Sequence, residues 1–265
     1  MSIRVIVAGA TGWTGGAVAR AVLEDRRFAL VGAVGRRHAG QDLGVALGQG
    51  TFGVKVSGTL AEALSDPADV LVDYTHPTAV KAHVLEALAA GVHAVVGTSG
   101  LNARDFAEIE EAAQRGGRGV IAAGNFSLTA ALAKSFALQA ARYLDAVELV
   151  DYAAAGKADA PSGTVMELAE ALGPMVGGRA RTPSIGVPET RGGEIAGVSV
   201  HAVRLPGYVL AFEALFGQPD ERLVIRHEAG SSAAPYVAGT LLAVERVGTV
   251  TGLVRGLDHL LFPAG

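Results

Sequence analysis

The chain has 265 residues, half of them hydrophobic, and a net charge of −4, which suits one large α/β domain or two modest ones around a substantial core. Lys and Arg are scattered and offer no basic field to nucleic acid, and no apolar stretch approaches the roughly 18–20 residues of a membrane span. With no cysteine there is no disulfide, thiolate nucleophile or Cys-ligated zinc. Its seven histidines form no H-E-x-x-H or i, i+4 pair, so no metal is expected. Met1-Ser2-Ile3-Arg4 runs straight into a core strand, which predicts no signal peptide and a cytoplasmic protein.

Ile3-Arg4-Val5-Ile6-Val7-Ala8 is an apolar run of strand length, and Ala17 to Leu23 reads as a helix. Between them lies Gly9-Ala10-Thr11-Gly12-Trp13-Thr14-Gly15-Gly16, a G-x-x-G-x-x-G variant of the dinucleotide fingerprint in its required strand–turn–helix setting. Gly9 can make the tight turn, Gly12 can let a pyrophosphate approach, and Gly15 can allow close helix–strand packing. A glycine pattern alone is weak in a chain with 36 glycines; its position carries the assignment. Gly9, Ala10, Thr11, Gly12, Trp13 and Thr14 are therefore candidate cofactor contacts.

The second strand, Ala29 to Val34, ends in Gly35-Arg36-Arg37. An acidic residue there would hold a ribose 2′-OH, whereas arginine accommodates a 2′-phosphate. Arg36 and Arg37 thus favour NADPH, with NADH as the alternative donor; the same pair would also serve as a solvated basic turn.

Strands over 69–74, 93–96 and 119–123 alternate with helices near 78–90 and 103–115, which predicts a Rossmann-type, doubly wound parallel sheet. Three polar loops follow strand ends: Thr75-His76-Pro77, Gly97-Thr98-Ser99-Gly100 and Gly124-Asn125-Phe126-Ser127. Ligands of open α/β sheets bind outside the carboxyl ends of the strands. Thr75, Gly97, Thr98, Ser99, Ala123, Gly124, Asn125 and Phe126 are accordingly expected at the nicotinamide half of the cofactor, although each loop alone could be a capped turn.

After residue 128 the pattern changes to a helix near 128–142, a strand over 146–152, and β-rich runs near 198–205, 208–216 and 222–228. This predicts a separate α+β, mixed-sheet substrate domain over 129–233, with 174–197 a long exposed loop. A helix over 234–246 opens a segment, 234–265, that returns to the dinucleotide-binding domain of 1–128.

The segment Lys157-Ala158-Asp159-Ala160-Pro161-Ser162-Gly163-Thr164 sets an amine and a carboxylate just before a helix start. Amides at such a start, in Ser162, Gly163 and Thr164, suit a small carboxylate ligand, and Lys157 can reach the same ligand as a proton donor. An N-capped surface helix with an incidental lysine would look the same.

Taken in order, these pieces resemble the 4-hydroxy-tetrahydrodipicolinate reductase (dihydrodipicolinate reductase) family of lysine biosynthesis, over nearly the whole chain. The resemblance rests on Val7 to Ala10, Gly97 to Gly100, Asn125 to Ser127, Lys157 to Thr164, Arg191-Gly192-Gly193 and Val203 to Gly207. It implies NAD(P)H as hydride donor, a cyclic imine or enamine carboxylate as acceptor, and a mixed-sheet domain that builds a homotetramer. By that match Lys157 is the proton donor, while Gly163 and Thr164 hold a substrate carboxylate. Two departures stand out. The family's adjacent histidines are Ala153-Ala154 here, and a His-Gln pair following the Leu-Pro-Gly stretch in one branch is Ala211-Phe212. Hydride transfer survives such losses, but acid–base groups typically contribute about 10²–10⁴-fold. Slow turnover of the usual substrate, or use of a less polar imine, is expected. A catalytically weak NADP(H)-binding sensor or scaffold is the alternative; a short-chain alcohol dehydrogenase lacks its Tyr-x-x-x-Lys pair.

Overall fold

Parallel strands need a crossover between each pair, and the apolar runs of the first half are spaced for it. The structure, a computed structural model, describes residues 2–176 and 185–262. The chain divides into two compact units, Met1–Leu128 with Ala233–Gly265, and Thr129–Ser232.

The elements begin β1 (Ile3–Ala8), α1 (Trp13–Glu24), β2 (Phe28–Val34), α2 (Leu43–Ala46), β3 (Val56–Ser57), α3 (Leu60–Ala63) and β4 (Val70–Asp73). They continue with α4 (Val80–Ala89), β5 (His93–Val96), α5 (Ala103–Gly116), β6 (Gly119–Ala122) and α6 (Leu128–Ala140). Then come β7 (Val147–Ala153), α7 (Gly163–Val176), β8 (Gly193–Ile195), β9 (Val198–Arg204), β10 (Leu210–Gln218) and β11 (Glu221–Ala229). The chain ends with α8 (Ala234–Val247), β12 (Gly252–Arg255) and α9 (Asp258–Leu261).

In the first unit the strand order is β12-β6-β5-β4-β1-β2-β3, parallel throughout. The order reverses between β1 and β4, the switch point at which doubly wound sheets bind ligands. Both faces are covered, which is why the strands read as continuous apolar runs. Ile6, Ala8 and Leu71 pack with Leu60 and Ala87, and Ala94, Val96 and Val120 pack with Val84 and Ile109. Helices α1 and α8 pack on the sheet as well, α8 against β4, β5 and β6.

The second unit is a sheet of order β11-β10-β7-β9-β8, antiparallel except for the parallel pair β7–β9. Its core joins Leu149, Val198, Val200, Phe212, Ala214 and Phe216 to Ala133 and Ala137 of α6 and Leu168 and Leu172 of α7. The expected class, a Rossmann-type parallel sheet plus an α+β mixed sheet, is observed.

The stretch 174–197 is not a continuous loop. Helix α7 runs through Pro174 to Val176, because Leu168, Leu172 and Val176 keep a buried stripe at helical spacing. Beyond it, Pro188–Arg191 forms a 3₁₀ turn and β8 pairs antiparallel with β9; residues 177–184 of the expected loop lie outside the described residues. The edge strands β3, β8 and β12 have two to four residues each, too few to show a period in the sequence.

Candidate functional site

The expected cofactor residues of the first unit gather at the carboxyl ends of β1, β2, β4, β5 and β6. After β1 the chain turns at Gly9, whose φ of +78° suits glycine. A Cβ there would stand 2.2 Å from the Tyr74 carbonyl oxygen, and one on Gly15 would stand 2.2 Å from the Gly9 oxygen. Gly12 is the N-cap of α1, supplies no side-chain cap, and is followed by a first turn without acidic residues. Trp13 is exposed and meets the Tyr236 ring edge-on at 5.9 Å; Thr11 and Thr14 are half-buried. Arg36 and Arg37 are exposed in a short 3₁₀ turn after β2, and neither enters an ion pair among the described residues.

Several of these residues offer the site their main chain rather than their side chain. Ala10, Ala123 and Phe126 are buried, and the Phe126 ring packs edge-on to Tyr74 at 6.2 Å. Asn125 accepts the Ser127 amide at 2.8 Å, which closes its loop. Ser99 is exposed and Gly97 is half-buried. Gly97 is required by Tyr74, whose ring carbon would lie 2.1 Å from an added Cβ. The Tyr74 hydroxyl meets Thr240 of α8 at 2.7 Å. Thr240 itself donates to the Tyr236 carbonyl, so Tyr74 is the donor; burial pushes its phenol well above the usual range.

The two threonines are spoken for by a residue the sequence did not single out. Asp73 ends β4 with no exposed surface. Its Oδ1 accepts the Thr75 amide at 3.0 Å, the Thr75 hydroxyl at 2.7 Å and the Thr98 hydroxyl at 2.6 Å. Its Oδ2 accepts from His83 Nδ1 of α4 at 2.8 Å; a carboxylate only accepts, so that ring nitrogen carries the proton. Burial alone would raise the Asp73 carboxyl, but the bonds from His83, Thr98 and Thr75 hold it below its ordinary value. An aspartate at a strand end usually reads as a solvated turn, and nothing in the spacing marks this one as buried.

In the second unit Lys157 Nζ sits on both oxygens of Asp159, at 2.6 and 2.7 Å, and the ammonium draws the Asp159 carboxyl below its ordinary value. The loop is pinned from beneath by Asp151, which faces the core of the unit with no exposed surface. Asp151 Oδ2 accepts the Ser162 amide at 2.8 Å and Arg204 Nη2 at 2.7 Å, and Oδ1 accepts the Ser162 hydroxyl at 2.7 Å. Arg204 also donates to the Asp159 carbonyl at 2.7 Å. Ser162 is thus buried with both donors occupied, an anchor rather than a ligand contact. Gly163, exposed, and Thr164, half-buried, open α7 above it. Asp151 and Arg204 were not singled out by the sequence; the one available signal was a carboxylate at an inward position of an alternating strand.

The sequence matches the family described as dihydrodipicolinate reductase, N-terminus, over residues 3–126, and that described as dihydrodipicolinate reductase, C-terminus, over residues 128–261. The chain belongs to the dihydrodipicolinate reductase family. It is 38% identical over 269 residues to the 4-hydroxy-tetrahydrodipicolinate reductase of Thermosynechococcus vestitus, covering 98% of this chain and 97% of the relative. It is 38% identical over 264 residues to that of Moorella thermoacetica, covering 98% of each. A dipicolinate-bound dihydrodipicolinate reductase from Paenisporosarcina sp. TG-14 superposes with a TM-score of 0.83 at 27% identity, covering 98% of this chain and 99% of that one. The protein is an NAD(P)H-dependent oxidoreductase of the dihydrodipicolinate reductase type.

The two departures from the family pattern lie together. In the β7–β10 ladder Ala153 pairs with Leu210, Tyr152 with Ala211, and Asp151 with Phe212. Ala153, Ala211 and Phe212 are all buried, whereas Ala154 is exposed. Phe212 packs against the His227 ring at 5.6 Å, and burial pushes that imidazole below its ordinary value. Alternation along the strands puts Ala153 and Phe212 on one face of the sheet, with Asp151, and Ala211 on the other.

The depressed Asp73 carboxyl stabilises the folded state at every pH above its unfolded value of about 3.9, and that contribution is lost as pH falls through the lower folded value. Urea unfolding from pH 7 to pH 3 is expected to give a constant contribution down to about pH 5 and a loss below about pH 4. Asp73→Asn should be less stable at pH 7 and lose less on acidification; parallel curves for the two proteins would contradict this assignment.

Proposed function

We propose that the protein reduces the C=N or conjugated C=C bond of a cyclic imine carboxylate, 4-hydroxy-tetrahydrodipicolinate or a less polar relative. The observation that carries this reading is the Lys157–Asp159 pair, held by Arg204 and Asp151 immediately before the start of α7. Lys157 is the group that delivers a proton to the acceptor as the C=N bond is reduced. The main chain of Gly163 and Thr164 receives the acceptor's carboxylate at the positive end of α7. Ser162 keeps that start in place through Asp151.

The turn after β1 fits a dinucleotide, because Gly12 exposes the amides at the start of α1 with no competing side chain or acidic residue. Gly9 to Thr14 would hold a pyrophosphate, and the main chain of Thr75, Gly97 to Ser99 and Ala123 to Phe126 the nicotinamide half. A bound nicotinamide supplies the hydride. Exposed and without carboxylate partners among the described residues, Arg36 and Arg37 suit a 2′-phosphate, which supports NADPH as the preferred donor and NADH as the alternative. On family membership we also assign the reaction to lysine biosynthesis in the cytoplasm, and the assembly as a homotetramer.

One observation favours a less polar acceptor than the lysine-pathway compound: Ala153, Ala154, Ala211 and Phe212 carry no side-chain donor at the two places where the family pattern has polar residues. A site without donors there leaves fewer polar groups unpaired when the acceptor lacks their partners. The binding-only alternative is not favoured, since the full-length relatives are reductases and the chain retains Lys157, Gly163 and Thr164.

Purified protein is expected to oxidise NADPH with enzymatically generated 4-hydroxy-tetrahydrodipicolinate or with a less polar cyclic imine carboxylate; silence with both classes would reject the proposal. Lys157→Ala should reduce turnover by about 10²–10⁴-fold while cofactor affinity, measured by calorimetry, stays within about twofold; equal losses would remove its role as proton donor. Arg36→Ala combined with Arg37→Ala should weaken NADPH and spare NADH, and an unchanged ratio of the two dissociation constants would reject the preference.

A further inference from the structure

Two of the loops assigned to the nicotinamide half follow neighbouring parallel strands, β4 and β5, and neither holds its own shape by regular secondary structure. Both are tied to one atom. Asp73 Oδ1 takes the Thr75 amide and hydroxyl from the first loop and the Thr98 hydroxyl from the second. The amide bond closes the first loop as an Asx-type turn. The Thr98 hydroxyl, which also lies 3.3 Å from the Asp73 carbonyl oxygen, crosses from the next strand to the same oxygen. From the helical side of the sheet His83 Nδ1 donates to Oδ2 and limits rotation of the carboxylate.

A buried carboxylate is tolerated only when its lone pairs are filled. Here every filling donor comes from a cofactor loop or from α4. Displacing either threonine therefore leaves an ionised group underbonded and disturbs the other loop through the shared oxygen. Packing reinforces the coupling, since Tyr74, between Asp73 and Thr75, lies against Gly9 with its carbonyl and against Gly97 with its ring.

We infer that Asp73 and His83 are positioning residues for dinucleotide binding. In this arrangement Thr75 and Thr98 spend their hydroxyls on Asp73 and present their loops to the cofactor by main chain alone. The inference rests on the reading above that these loops line the cofactor. It gives the hydroxyl of Thr98 an effect on both cofactors alike, unlike the arginines, which discriminate between them.

The test is calorimetric titration of the full chain with NADPH and with NADH, beside its thermal midpoint. Thr98→Val keeps the shape of the side chain and removes the hydroxyl. It is expected to raise both dissociation constants by a common factor of about ten, the scale of one hydrogen bond to a charged group. Thr98→Ser should stay within about twofold of the unaltered chain. His83→Leu should weaken both cofactors in the same way, while His83→Asn, whose side-chain amide supplies a donor near the Nδ1 position, should weaken them less. Unchanged dissociation constants in folded Thr98→Val and His83→Leu, with only a lowered thermal midpoint, would overturn the inference and leave the cofactor reading standing. A change confined to NADPH, or a Thr98→Ser variant as weak as Thr98→Val, would overturn it too. Failure of the unaltered chain to bind either dinucleotide would remove the cofactor reading, and the inference with it.

Discussion

Burying an ionised carboxylate at the end of a core strand costs free energy unless its oxygens are filled with donors, and each unit of this protein is built around one such group. Asp73 closes β4 and Asp151 lies near the end of β7, both without exposed surface. Neither is satisfied within its own strand. Part of the donor set comes from the loops that carry the candidate site, Thr75 and Thr98 for Asp73 and Ser162 for Asp151, and His83 of α4 and Arg204 at the end of β9 supply the rest. The need to satisfy a buried charge is thereby converted into a fixed shape for segments that have no helix or strand hydrogen bonds of their own. Such satisfied polar clusters rigidify a site at the same time as they stabilise it.

The same constraint divides labour along each loop. Side chains that look suited to a ligand, the hydroxyls of Thr75, Thr98 and Ser162, are turned inward to carboxylates. What remains outward is the main chain, the exposed arginines after β2, and Lys157 held on Asp159. Arg204 links the two levels of the second unit: one nitrogen of its guanidinium serves both the buried Asp151 and the Asp159 carbonyl. The Lys157 amine is thus positioned through a chain of contacts that begins at the buried Asp151.

Ala153 and Phe212, on β7 and β10, obey the same rule in the opposite sense. Strand pairing sets Phe212 opposite Asp151 and Ala153 two residues along on the same face, where an imidazole would need partners to be buried without cost. Ala and Phe need none, and the Phe212 ring packs into the core with Ala214 and Phe216.

The long elements and the fingerprint turn are legible from sequence because they are local. Apolar runs of strand length become β1, β4, β5 and β6; helical stripes become α1, α4, α5 and α8; and Gly9 and Gly15 sit where the backbone approaches closely. The family, too, was readable in the Lys157 segment. What only the tertiary structure decided is non-local: the short edge strands β3, β8 and β12, the extension of α7 past Pro174, and the pairing that brings Ala153 beside Leu210. Above all it decided which polar groups face inward. Asp73 carries no local mark of burial and Asp151 only its inward place in an alternating strand, because whether a carboxylate near a strand end meets water or meets Thr98, His83 and Arg204 depends on residues far away in the chain. A hydroxyl's partner is a matter of angstroms in space, and sequence spacing does not encode it.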